Sequence, residues 1–170
     1  FTTLYNAKEG KLYFEIPDSA FGRTYILANR VAATSNTRDF VAGQIATQPL
    51  LIRFSKDERN VYIHQIQSSD IVAGTDPIES AFDKNFYDPV LKGFKIAAQN
   101  GKNVVIDVTA FFGANEKAIS PIKTDNPLSK LLGGANSLKG TFVPDASGIV
   151  SSKCFPENIE IKSRLSFTLT

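Results

Sequence analysis

The sequence predicts an α+β, β-rich fold: mainly antiparallel sheet built from hairpins, with one or two short helices and a long irregular segment. Three observations lead there. Apolar residues recur with period two over most of residues 1–112. Side chains suited to a half-buried pleated surface are plentiful, with 13 Phe and 5 Tyr among 170 residues. After Phe112 the texture changes to Gly, Ser, Asn, Pro and Lys. A chain of 170 residues with an apolar fraction of 42% can bury one core, so 1–170 is read as a single domain.

In chain order, the first clear strand is Lys11–Ile16, with Leu12, Phe14 and Ile16 on one face and Lys11, Tyr13 and Glu15 on the other. Pro17, Asp18 and Ser19 stop it, and Gly22 can supply the positive φ of a return turn. A second strand is predicted over 24–32. Residues 50–55 and 60–66 flank the polar stretch 56–59, which reads as a hairpin with a four-residue loop. A helix is predicted over 76–86. Asp76 caps it, Pro77 takes the first helical position, Glu79 completes a capping box, and Ile78, Ala81, Phe82 and Phe86 follow at helical spacing. Asp88-Pro89 ends it, because the residue before proline avoids the α region. Asn100-Gly101, between 93–99 and 102–109, suits a type I′ turn.

Residues 113–157 show no strand pattern, and 113–154 is expected to be a long flexible loop or insertion. Within it, Asn126, Pro127 and Gly133 frame a short helix carrying Leu128, Leu131 and Leu132. Over 158–169 alternation returns. Ile159, Ile161, Leu165, Phe167 and Leu169 face one way, against Glu160, Lys162, Arg164, Ser166 and Thr168. At about 3.3 Å per residue this would be a strand of about 40 Å, which must either bend or cross a large sheet.

Composition narrows the function classes. A net charge of +2 supplies no field to hold a phosphate backbone, so nucleic acid is excluded as a partner. No apolar run approaches the roughly 18 residues of a membrane span. The chain has no methionine and no secretory signal, and it is expected to be a piece of a longer precursor. Cys154 is the only cysteine, which rules out an internal disulfide framework and a cysteine-cluster zinc site.

No catalytic, cofactor-binding or metal-ligating residue is assigned, and no cofactor is expected in this chain. His64 is the only histidine, so an H-E-x-x-H zinc helix cannot be built. A serine or cysteine nucleophile would need His64 as its base, yet it alternates with Tyr62 and Ile66 on a predicted strand without an acidic neighbour. It is read as structural or surface. Among the carboxylates, Asp57 and Glu58 read as turn residues and Asp76 and Glu79 as helix caps. Asp107, outward on the strand carrying Val104, Ile106 and Val108, reads as a strand carboxylate rather than half of a catalytic pair. Gly133-Gly134 lacks the strand and lysine of a phosphate loop. Cys154, beside Phe155 and Pro156, is expected to be buried, and Tyr13 and Tyr25 to sit on outer strand faces.

Four segments together resemble a known arrangement: KLYFEIPDSAFGRTYILANRVA at 11–32, LLIRFSKDERNVYIHQI at 50–66, VVIDVTAFF at 104–112 and FPENIEIKSRLSFT at 155–168. They are similar to the uncharacterised domain that precedes the catalytic domain in large exported bacterial zinc metalloproteases. The likeness spans nearly the whole chain outside 113–154 and rests on strand apolar residues with Pro17, Gly22 and Pro156. It implies a non-catalytic accessory domain that supports or shields an adjacent zinc-peptidase domain in the same polypeptide. The zinc would belong to that neighbour, and the location would be the periplasm, the outer-membrane surface or the extracellular space. The alternative is an independent β module that binds a glycan or peptide. The first reading requires an apolar face left for a neighbour, and the second an aromatic-lined groove closed within the chain.

Overall fold

The computed structural model describes residues 1–67, 87–120, 122 and 140–169, and their architecture is β-rich. Hairpin β1 (Thr2–Asn6) and β2 (Lys11–Ile16) turns at Gly10, whose φ of +65° favours glycine. The strands β3 (Thr24–Leu27), β4 (Leu50–Lys56), β5 (Asn60–Gln65), β6 (Val90–Asn100) and β7 (Asn103–Asp107) follow. These seven make one antiparallel sheet in the order β1-β2-β7-β6-β5-β4-β3. After the short helix α1 (Thr109–Gly113), β8 (Gly140–Phe142) pairs with β11 (Phe167–Leu169), and β9 (Gly148–Cys154) pairs with β10 (Ile159–Arg164).

The sheet is strongly curled. Six strand spacings of about 4.8 Å would set β1 and β3 roughly 29 Å apart in a flat sheet. Yet Phe1, beside β1, packs its ring edge-on against Tyr25 of β3 at 5.3 Å and lies 5.4 Å from Phe54 of β4 and 6.1 Å from Phe14 of β2. Part of the bend comes from β6, where Leu91 and Ala97 are extra residues skipped by the partner registers. Each such bulge bends and over-twists its strand.

Burial follows the pleat. Leu12, Phe14 and Ile16 of β2, Ile52 and Phe54 of β4, Val61 and Ile63 of β5, Phe94 of β6 and Val104 and Ile106 of β7 all face the concave side and are buried. Full burial of such side chains contributes about 1.5–3 kcal/mol each. The three from β2 therefore carry a share comparable with a domain's whole net stability of about 5–15 kcal/mol. Phe111 of α1 closes one end of this core against Phe94 and Phe112, and Ile149 of β9 joins it.

Several sequence expectations need correction. The second strand stops at Leu27 rather than running to Ala32: Asn29 accepts hydrogen bonds from the Thr47 amide and hydroxyl and donates to the Ile119 carbonyl, which takes the chain out of the sheet. The 100–101 turn is displaced by one residue, since Asn100 pairs with Asn103 and Gly101, with φ +61°, opens the two-residue loop. Thr109 is helical, not extended; its hydroxyl accepts the Leu12 amide at 2.8 Å while Val108 N–H donates to the Leu12 carbonyl. The stretch expected to lack strands contains β8 and β9. Of the two alternatives for 158–169, the chain takes the bend: Ser166 donates its N–H to Ser147 Oγ and its hydroxyl to the Ala146 carbonyl, and its own carbonyl accepts the Val143 amide, separating β10 from β11. The helices expected over 76–86 and around Asn126 to Gly133 lie outside the described residues.

Candidate functional site

Because the pleat aims Ile52 and Phe54 inward, it aims Leu51, Arg53 and Ser55 outward, to the convex side. Leu51 stands opposite Ile26 of β3, and its carbonyl accepts the Ile66 amide. Arg53 stands between Thr24 and His64, and His64 stands opposite Val90 of β6. The result is an outward surface of apolar residues around a polar centre. Its apolar members are well exposed: Ile26 by 72%, Leu51 by 46%, Val90 by 49% and Tyr87 by 74%.

The polar centre is a bonded network. Ser55 Oγ lies 2.7 Å from His64 Nε2, and His64 Nδ1 lies 3.1 Å from the carbonyl oxygen of Asp88. A carbonyl only accepts, so Nδ1 carries the hydrogen and, in the neutral ring, Nε2 accepts the Ser55 hydroxyl. The Asp88 carboxylate turns instead to Arg53, whose Nη1 lies 3.4 Å from Oδ2. Arg53 Nε is buried with no hydrogen-bond partner among the described residues. The imidazole is itself buried, with the Tyr87 ring edge-on to it at 6.1 Å. A hydroxyl, a base and an orienting acceptor are therefore aligned as in a nucleophilic pair, but the orienting group is a main-chain carbonyl. The same bonds also serve as a cross-strand clamp, joining β4, β5 and the approach to β6.

A separate cleft of about 660 Å³ lies between the β1-β2 hairpin, α1 and the β9-β10 pair. Its polar lining is already engaged within the chain. Tyr5 donates its hydroxyl to the Ile149 carbonyl at 2.9 Å, Asp107 accepts the Thr109 amide at 2.9 Å, and Arg164 Nε donates to the Ala146 carbonyl at 3.2 Å. Among the described residues Tyr5 is the one aromatic side chain lining it. That is poor equipment for stacking a sugar ring.

The other candidate residues are placed as follows. Asp57 sits in the β4-β5 turn, where the Arg59 and Asn60 amides and the Tyr62 hydroxyl donate to it and hold its carboxyl down at about 2. Tyr13 lies on the convex side opposite Asp107. Tyr25 does not: it packs inward on Phe1 and Phe54 and donates to the Ala20 carbonyl, and burial raises its phenol above the ordinary value. Cys154 is exposed rather than buried, because it ends a strand edge where Sγ meets only the Phe1 carbonyl at 3.2 Å and Phe155. Asp76, Glu79, Gly133 and Gly134 lie outside the described residues. Among the described residues no three His, Cys, Asp or Glu side chains gather as a metal would require, and no helix is long and apolar enough to cross a membrane.

Residues 43–170, most of the chain and everything from the start of the β4 approach onward, match the family model described as Domain of unknown function (DUF5117). The chain belongs to that family. Residues 1–34 match a second model, Domain of unknown function (DUF5118). The outward surface combines both matches, since Ile26 falls in the DUF5118 stretch and Leu51, Ser55, His64 and Val90 in the DUF5117 stretch. No curated protein and no solved structure matched the chain.

Proposed function

We propose that this chain is a non-catalytic accessory domain of an exported zinc metallopeptidase, docking its convex sheet face on the catalytic domain of the same polypeptide and supporting or shielding it. The observation that carries this reading is the exposed apolar surface of Ile26, Leu51, Val90 and Tyr87 on a sheet whose other face is filled. Apolar surface gathered around a partly desolvated polar centre is the composition of an interface core. The Arg53 side chain, 43% exposed and paired with Asp88 at 3.4 Å, offers a charged contact at its middle. The identity of the neighbour rests on the resemblance at 11–32, 50–66, 104–112 and 155–168, and the zinc is assigned to that neighbour.

The test is the full-length precursor expressed with and without residues 1–170 and assayed for peptide hydrolysis and for its rate of self-cleavage. The reading expects activity or resistance to self-cleavage to change when the segment is removed, and to change in the same direction when Ile26 and Leu51 are both replaced by Asp. A precursor indifferent to both alterations would contradict it.

A further inference from the structure

The two matched stretches do not divide the molecule where the fold does. Residues 1–34 supply β1, β2 and β3, which stand at the two opposite ends of the seven-stranded sheet, while 43–170 supply β7, β6, β5 and β4 between them. The short stretch thus embraces the long one from both edges. On one side β2 pairs with β7 from Tyr13 opposite Asp107 to Ile16 opposite Val104; on the other β3 pairs with β4 from Thr24 opposite Arg53 to Leu27 opposite Leu50.

Side chains tie the same seam. Glu15 Oε1 accepts from both Asn100 and Asn103 at 3.0 and 2.9 Å, and these two donors hold its carboxyl below the usual range. Gly22 N–H donates to the Phe54 carbonyl at 3.1 Å, and Tyr5 reaches Ile149 across the cleft. Leu12, Phe14, Ile16 and Ala20 belong to the same buried cluster as Ile52, Phe54, Val61 and Ile106. Without 1–34, β7 and β4 would each present a bare strand edge, and the concave apolar face would lose one wall.

We infer that the two family stretches are a single folding unit, in which 1–34 is an intramolecular strand donor and the surface of 43–170 made by the β7 edge, the β4 edge and the concave face is its binding site. The partner this surface fits is an extended segment of alternating apolar residues at each edge, and the chain carries that partner itself. The inference is independent of the accessory reading, because it concerns only how the unit is assembled.

Amide exchange in the intact chain tests it. Replacing Leu12, on β2, by Asp should lower protection together in β2 and in β4 and β5, by about a hundredfold or more, since one cooperative unit opens as a whole. Loss of protection confined to residues 1–34 would overturn it. Residues 43–170 produced alone should lack a cooperative melt and regain one when 1–34 is co-expressed as a separate chain. A cooperative melt of 43–170 by itself, or no effect of the added stretch, would equally overturn it.

Discussion

The two faces of the curled sheet are built to opposite rules. On the concave side Leu12, Phe14, Ile16, Ile52, Phe54, Val61, Ile63, Val104 and Ile106 are buried against one another, and rings from Phe1, Phe14, Tyr25 and Phe54 meet edge-on or tilted. On the convex side β3, β4 and β6 present Ile26, Leu51 and Val90 to solvent around the Ser55, His64 and Arg53 network. The difference separates what holds the fold from what the fold holds out. Substitutions should sort accordingly.

The largest effect belongs to the concave face. Replacing Phe54 by Ala removes contacts to Phe1 and Tyr25 at once and should cost about 3–5 kcal/mol in a denaturant titration. A cost below about 1 kcal/mol would mean the curl leaves that region loosely packed. Intermediate effects are expected at the convex clamp. Ser55 to Ala leaves Nε2 of a buried imidazole without its partner, and should cost about 1–3 kcal/mol. A neutral outcome would show that the hydroxyl is not a structural partner of the ring, which would favour a role in chemistry.

A pH titration sharpens the comparison at the β4-β5 turn. The Asp57 carboxyl is lowered from 3.8 to about 2 by its three donors, so the bonds it makes stabilise the fold fully above pH 3.8 and are lost as pH falls through about 2. The stability gap between the wild type and Asp57 to Ala should therefore be constant from neutral pH to about 4 and should close between 3.8 and about 2. A gap that does not change across that window would place the stabilisation elsewhere. The smallest effect is expected on the convex rim: Leu51 to Asp should change the stability of the isolated chain by no more than about 0.5 kcal/mol, since its side chain already meets water.

The concave face is largely legible in the sequence and the convex face only in part: Tyr13 and Asp107 read as outward, but the network of Ser55, His64 and Arg53 does not declare itself. Alternation in Lys11–Ile16 identifies the inward set Leu12, Phe14 and Ile16 because the outward positions are polar or amphipathic, so the two faces differ in kind. Where both faces are apolar the same signal misleads. Ile26 looks like a continuation of a long strand but faces outward, and nothing in its type announces that Asn29 will turn the chain away. In 158–169 the alternation is real, yet Ser166 breaks it through bonds to Ser147 and Ala146, about twenty residues earlier in the chain. Strand β9, GIVSSKC, does not show in the pattern because Ile149 is its one buried apolar residue. The Ser55 and His64 contact was within reach. Once 50–55 and 60–66 are paired as a hairpin, parity alone puts both side chains on the face opposite Phe54 and Ile63, although the register decides that they touch.

Docking of the convex apolar surface on a neighbouring domain is open to one paired measurement. The double replacement of Ile26 and Leu51 by Asp should be made both in residues 1–170 and in the full-length precursor, with the melting temperature read in each. If the surface is covered only in the precursor, the isolated chain should melt within a few degrees of the wild type while the precursor loses stability markedly. Equal small changes in both proteins would contradict it.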